Sequence, residues 1–279
     1  MIVFVGGVVA GMTGAFFSDT ETSTGNTFAA GDIDLQIDNT SYYNGVATST
    51  TTWLTPVDLT VEKFFDFYDL KPGDYGEDTI SIHTGSNDAW LCAEVALTSD
   101  DDITCTDPEN SDDPSCTESD SDIADGDLAD AVNFLWWADD GDNVLEQGEN
   151  VLPGGPLGAI NVGSTTTVPL TDINQNIFGT LGQPFPGNAT KYIGKAWCFG
   201  TIAQLSIPLS QSSLVGGRTT TTPAQSGDGD SINGEPEDGG FTCDGVAVNN
   251  AAQTDKLTAN VAFRTVQARH NATFQCVTP

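Results

Sequence analysis

The sequence predicts an all-β chain: a jelly-roll-like two-sheet β-sandwich with long acidic loop insertions and one or two short helices. Three observations predict it. Runs of Thr, Val and Ile are punctuated by 30 Gly and 13 Pro, the residue types that build strands and turns. No segment sustains a 3.6-residue apolar period for long, whereas several alternate with period two. No fixed-length repeat recurs, which argues against solenoids and propellers.

The elements follow in chain order. Residues 2–12 (IVFVGGVVAGM) carry no charge and no polar side chain. That is the length of a secretory h-region and well short of the roughly 20 residues a spanning helix needs. Thr13-Gly14-Ala15 supplies a small-residue cleavage site, so residues 1–15 are expected to be a signal peptide and Phe16 the mature start. The basic n-region is missing, the first cationic side chain being Lys63, which suggests a start further upstream. Residues 31–279 then read as a single domain. Gly31 to Asp38 alternates, with Ile33, Leu35 and Ile37 on one face and mostly carboxylates on the other, as in a half-buried strand. A polar Thr-rich stretch (47–53) precedes a candidate strand at Thr55 to Val61. Phe64, Phe65, Phe67 and Tyr68 make an aromatic cluster before Lys71-Pro72-Gly73-Asp74, a turn in which Pro presets φ and Gly accepts a positive one. Asp78 to His83 and Trp90 to Leu97 read as strands.

Residues 99–130 hold 13 acidic side chains and no basic one and read as a surface insertion, with a short helix at Ile123 to Val132. Phe134-Leu135-Trp136-Trp137 resumes a buried strand. Thr165 to Leu170, Tyr192 to Ile207 and Leu257 to Gln267 follow as strands, with a polar loop over 208–240. The last strand is the clearest: Leu257, Ala259, Val261 and Phe263 face one way, Thr258, Asn260 and Arg264 the other.

Forty acidic residues stand against 8 basic ones, a net charge of −32. A phosphate backbone is repelled by such a surface, so nucleic acid is excluded as a partner, and anionic membranes are disfavoured. Solubility in high salt, divalent-cation binding and repulsion between subunits remain as reasons for the charge. Six cysteines, Cys92, Cys105, Cys116, Cys198, Cys243 and Cys276, show no paired metal-ligand spacing. Behind a signal peptide they imply disulfides. Cys105 and Cys116 bracket a short acidic loop and are expected to pair; Cys243 is expected to pair with either Cys198 or Cys276.

The stretch Asp139-Asp140-Gly141-Asp142-Asn143-Val144-Leu145-Glu146-Gln147-Gly148-Glu149 packs five carboxylates and an Asn into eleven residues. Calcium takes six to eight oxygens, which short Asp/Asn/Gly loops deliver. The spacing departs from an EF-hand, since the fifth position counted from Asp140 is Val144. Asp139, Asp140, Asp142, Asn143, Glu146 and Glu149 are therefore candidate ligands of a non-standard calcium site, with Gly227 to Glu235 as a weaker second loop. His83 and His270 are the only histidines and form no zinc-hydrolase motif; His83 reads as structural. Nothing singles out a catalytic carboxylate pair, and no enzymatic activity is expected. Asn39, Asn188 and Asn271 open N-x-[ST] sequons. Trp136-Trp137 and the Phe64 to Tyr68 cluster suit core packing better than sugar stacking.

Ala15-Phe16-Phe17-Ser18-Asp19-Thr20-Glu21-Thr22-Ser23-Thr24-Gly25-Asn26-Thr27-Phe28, continued by Ala29-Ala30-Gly31-Asp32-Ile33-Asp34-Leu35, resembles the N-terminus of the TasA/camelysin family. Leu70-Lys71-Pro72-Gly73-Asp74 with Asp78-Thr79-Ile80-Ser81-Ile82 is similar to that family's second landmark. The acidic insertion, the six cysteines and the missing n-region depart from its commonest members. The resemblance implies a secreted jelly-roll subunit of an extracellular filament, a biofilm-matrix fibre or bundling pilus. The partner is then another copy of the chain, with other matrix proteins or surface glycans as further candidates. Residues 16–30 would act as a donor strand, with Phe16, Phe17 and Phe28 as anchors in the next subunit's groove. Two alternatives stand beside it: a calcium-dependent adhesin or surface-layer component, and a camelysin-type secreted metalloendopeptidase.

Overall fold

The computed structural model describes residues 33–116, 122–210, 232 and 234–277. The expected signal peptide, the segment 16–30 with Phe16, Phe17 and Phe28, and most of the loop 227–235 lie outside the described residues. Eleven strands form: β1 (Leu35–Tyr43), β2 (Val46–Val57), β3 (Tyr75–Thr84), β4 (Ala89–Asp101), β5 (Val132–Asp139), β6 (Val151–Pro156), β7 (Thr165–Thr171), β8 (Thr190–Phe199), β9 (Thr201–Gln204), β10 (Phe241–Asp244) and β11 (Lys256–Gln267). Two four-residue helices, α1 (Glu109–Asp112) and α2 (Leu128–Ala131), interrupt them.

Six strands make one sheet in the order β2-β1-β3-β8-β5-β6, three make a second in the order β11-β4-β7, and β9 and β10 pair separately. Every pairing between strands is antiparallel. The two larger sheets pack face to face. Ile37, Ile80, Ile82 and Ile193 of the first meet Leu91, Ala93 and Leu170 of the second in one buried cluster. Val132, Phe134 and Trp197 meet Leu97, Leu257 and Ala259 in another. The expected all-β sandwich is what the chain forms.

The outer face of the six-stranded sheet is covered as well, by a cluster of Tyr75, Trp137, Leu145, Ala196 and Phe241. The first strand's expected half-burial is corrected too. From Ile37 to Tyr42 β1 is buried on both faces, and Asp38, expected in water, lies inside with its carboxylate 2.7 Å from the His83 ring. The Thr-rich stretch 47–53 is not a lead-in but the body of β2, an edge strand in which β-branched Thr suits the half-exposed pleat. Asn44 and Gly45, both at positive φ (46° and 70°), make the tight hairpin before it. The expected helix at 123–132 shrinks to α2, the expected strand Tyr192 to Ile207 breaks at Gly200 (φ 141°) into β8 and β9, and β6 and β10 are additions.

The two flanks of the sandwich differ. At one, the edge strands β2 and β11 are bridged by Phe64, whose ring lies 5.2 Å from Trp53 and 6.2 Å from Phe263. Beneath it, Lys195 and Asp78 form a fully buried ion pair at 2.7 Å. Asn39 Nδ2 donates to Asp78 at 3.0 Å, and the ammonium lies 4.1 Å from the Phe65 ring centre. At the other flank β6 and β7, each the edge of its sheet, leave an apolar cleft between them.

Three disulfides close the fold: Cys105–Cys116, Cys198–Cys243 and Cys92–Cys276. The first is the expected clip, and the open choice at Cys243 falls to Cys198. Cys92–Cys276 spans 184 residues and ties the C-terminal segment to the first half of β4. Chain entropy alone makes it the most stabilising of the three, at about 5 kcal/mol against about 3 for the short loop.

Candidate functional site

The acidic loop after β5 folds back on itself because its glycines and asparagine take backbone shapes other residues resist: Gly141, Asn143 and Gly148 lie at φ 115°, 64° and 99°. Asp139 organises the turn. Its Oδ2 accepts from the Gly141 and Asn143 amides at 3.0 and 3.2 Å, and its Oδ1 from the Trp137 indole at 3.1 Å. Asp142 Oδ1 accepts from the Val144 amide at 3.1 Å, and Glu149 Oε2 from the Glu146 amide at 2.8 Å. The carboxylates of Asp139, Asp140 and Asp142 converge to within 4.8 Å of one another, a spread that oxygens on one ion with bonds of about 2.4 Å can cover. Glu146 and Glu149 fall outside that group. An open cleft of about 510 Å³ reaches Asp139, Asp140 and Glu149 from solvent.

Two further acids complete the inner end, and neither is signalled by the loop's sequence. Glu77, on β3, is fully buried and accepts from Asn143 Nδ2 at 3.2 Å. Asp238, in a 3₁₀ turn (Pro236–Gly239), accepts from the Gly234 and Glu235 amides at 2.7 and 3.3 Å. Glu77 Oε1, Asn143 Oδ1, Asp238 Oδ1 and Glu149 Oε1 are buried without a hydrogen-bond donor. Burial first, and then other carboxylates, push Glu77 well above the usual range, Asp139 to about 7 and Glu149 to about 9. Every charged group acting on them is an anion. Such a set holds together with protons or with a hard cation, and its all-oxygen donors are of the kind that calcium takes.

The other candidate residues separate. Asn39 is buried, with Nδ2 donating to Thr51 O and Asp78, so the first sequon is closed to a glycosyl group. Asn188 and Asn271 are exposed. His83 is structural, held between Asp38 and Thr190 at 2.7 and 2.9 Å. Of the aromatic cluster, Phe64, Phe65 and Phe67 pack inward and only Tyr68 is exposed, at 80 %. Trp137 is buried and Trp136 half-buried, so core packing is the role they take.

The cleft between β6 and β7 has a volume of about 210 Å³. Its floor is Phe65, Phe134, Trp136 and Ile193, and Val168 and Leu170 of β7 wall one side. Gly154 packs its Cα against the Phe134 carbonyl of β5, leaving no room for a side chain, and Gly155, at φ 138°, faces open space on the β6 side. Among the described strands β7 pairs only with β4; its end is met by the following turn, where Thr171 bridges Asn176 and the Ile177 amide donates to Leu170 O at 3.0 Å, while no second strand lies along Thr165 to Val168. No helix of the described residues is long and apolar enough to cross a membrane. No protein-family model matches the chain, and no curated protein matches its sequence.

Proposed function

We propose that the chain is a structural subunit of an extracellular filament, a biofilm-matrix fibre or bundling pilus, that assembles head to tail by donor-strand addition. Residues 16–28 of one copy lie along β7 of the next, with Phe16, Phe17 and Phe28 as the anchors that fill the cleft. The observation that carries this reading is the cleft itself: an apolar slot beside a strand edge with no partner strand from Thr165 to Val168 can satisfy both the backbone and the aromatic side chains of an added strand. Thirteen extended residues reach about 45 Å, and β7 has seven residues, so the segment is long enough. A contact of this kind is heterologous and, when it does not close into a ring, propagates as a fibre. Three disulfides suit an extracellular subunit, and the N-terminal resemblance to the TasA/camelysin family points the same way.

The acidic centre supports calcium binding as part of this reading, with Asp139, Asp140, Asp142 and Asn143 as ligands and Glu77 behind them. It also favours the second reading, a calcium-dependent adhesin. The metallopeptidase reading draws less support, since the residue groups that converge tightly enough for a metal contain no histidine among the described residues. Negative-stain electron microscopy of the mature chain, with and without residues 16–26, separates the first two. Filaments that vanish on truncation are expected. Filaments that persist, or monodisperse particles in both samples, contradict donor-strand assembly.

A further inference from the structure

A second carboxylate cluster lies away from the loop after β5, where the insertion following β4 meets the lead-in to β11. Asp102, Glu109 and Asp255 place carboxylate oxygens within 4.8 Å of one another, and Asp102 and Asp113 do the same beside the Cys116 sulfur. Asp102 is common to both groups. Three of these side chains are buried, Glu109 completely, Asp102 at 6 % and Asp113 at 8 % exposure.

Hydrogen bonds account for only some of their oxygens. Asp113 Oδ1 accepts from the Ser115 amide and hydroxyl at 3.0 and 2.6 Å. Asp255 Oδ2 accepts from the Asp127 and Leu128 amides at 2.7 and 3.1 Å. Glu109 takes the Thr106 amide at 2.9 Å and the Thr254 hydroxyl at 3.2 Å. Asp113 Oδ2, Asp255 Oδ1 and both oxygens of Asp102 are buried with no donor. Asp102 is thus a buried side chain that no N–H or hydroxyl reaches; its one side-chain hydrogen bond is carboxyl to carboxylate, with Asp255. Burial acts first on Asp102 and Asp255, and the charged groups acting on them are all carboxylates. Acceptors buried together without donors are costly unless something positive sits among them.

We infer that Asp102, Glu109, Asp113 and Asp255 form a second divalent-cation site, and that its ligand is calcium. The donors are all oxygen. Cys116 is closed in a disulfide with Cys105 and has no thiolate to offer, so the set lacks the soft ligands that favour zinc. Four carboxylates, one or more of them bidentate, approach the six to eight oxygens calcium takes, with water completing the shell. The ion would fasten the disulfide-clipped insertion (102–116) to the chain entering β11, adding to the hydrogen bonds of Thr254 with Thr104 O and Glu109, Thr106 with Gln253, and Asn250 with Asp112.

Hydrogen exchange of the full mature chain at pH 7.5, read peptide by peptide across a calcium titration, tests the site. Calcium is expected to slow exchange over 102–116 and 253–256 at least 10-fold in wild type and in Asp139→Asn. In Asp102→Asn that response is expected to be lost while the loop 140–150 still responds. Asp255→Asn serves as a second variant with the same expectation. Wild-type exchange over 102–116 that ignores calcium, or protection gained only by acidifying to pH 5, overturns the inference and leaves protons as the neutralising charge. A full calcium response in both variants overturns it as well.

Discussion

The two flanks of the sandwich solve one problem in opposite ways. Both present the edges of two sheets, with unpaired backbone and an apolar seam between them. At β2 and β11 the chain seals the seam itself: Phe64 drops between Trp53 and Phe263, and the buried Lys195–Asp78 pair lies below. At β6 and β7 no aromatic plug spans the two edges, and Gly155 borders open space on the β6 side. The difference teaches where to look for a partner. A seam filled in cis contributes to stability, whereas a seam left open beside a strand edge is available to a second copy.

Substitutions on the two flanks should therefore separate folding from assembly. Phe64→Ala removes the plug and is expected to cost about 3–5 kcal/mol, the range for truncating a buried aromatic, seen as a lower Tm of the monomer. Val168→Asp puts a charge in the open cleft. It is expected to lower the monomer Tm by no more than about 5 °C, because the site is already half-exposed, yet to weaken filament growth about 100-fold, or about 2.7 kcal/mol. If the two variants shifted melting and assembly together, the flanks would not differ in the way described.

The acidic clusters give a prediction of intermediate size. Burial and neighbouring carboxylates raise Asp139 to about 7, Asp255 to about 8 and Glu149 to about 9. An acid whose folded pKa exceeds its unfolded value of about 4 holds extra protons in the fold. Its contribution to stability is complete below that pH and lost as pH rises through the folded value. Calcium-free protein is thus expected to melt roughly 5–10 °C lower at pH 9 than at pH 5, and saturating calcium to remove most of that slope. Melting curves in chelator across this range check it; a flat profile in chelator contradicts it. At the small end, Tyr68→Ser, at the exposed tip of the plug segment, is expected to change stability by less than about 0.5 kcal/mol.

The legible parts of the sequence were those where local pattern and tertiary burial agree. In β11 the residues Leu257, Ala259, Val261 and Phe263 alternate and pack as they read. Lys71-Pro72-Gly73-Asp74 turns as its chemistry requires, with the Asp74 amide donating to Lys71 O at 2.8 Å. The misread parts are those where a distant segment changes the environment. Asp38 reads as solvated because nothing local shows that β1 is covered on both faces. Strand β6, with Pro153, Gly154, Gly155 and Pro156, carries no strand pattern of its own and pairs along β5. The acidic loop was visible as a run of carboxylates, but Glu77 and Asp238 reach it from positions 62 residues before Asp139 and 99 after it, a relation no local spacing encodes. The cleft was invisible for the same reason: its walls come from strands brought together by the fold.

Hydrogen exchange over β7, comparing the mature chain as monomer and as filament, tests the central claim most directly. The account predicts that amides of Thr165 to Leu170 become strongly protected on assembly, while the edges of β2 and β11 change little. Protection confined to β2 or β11, or none at β7, would contradict it.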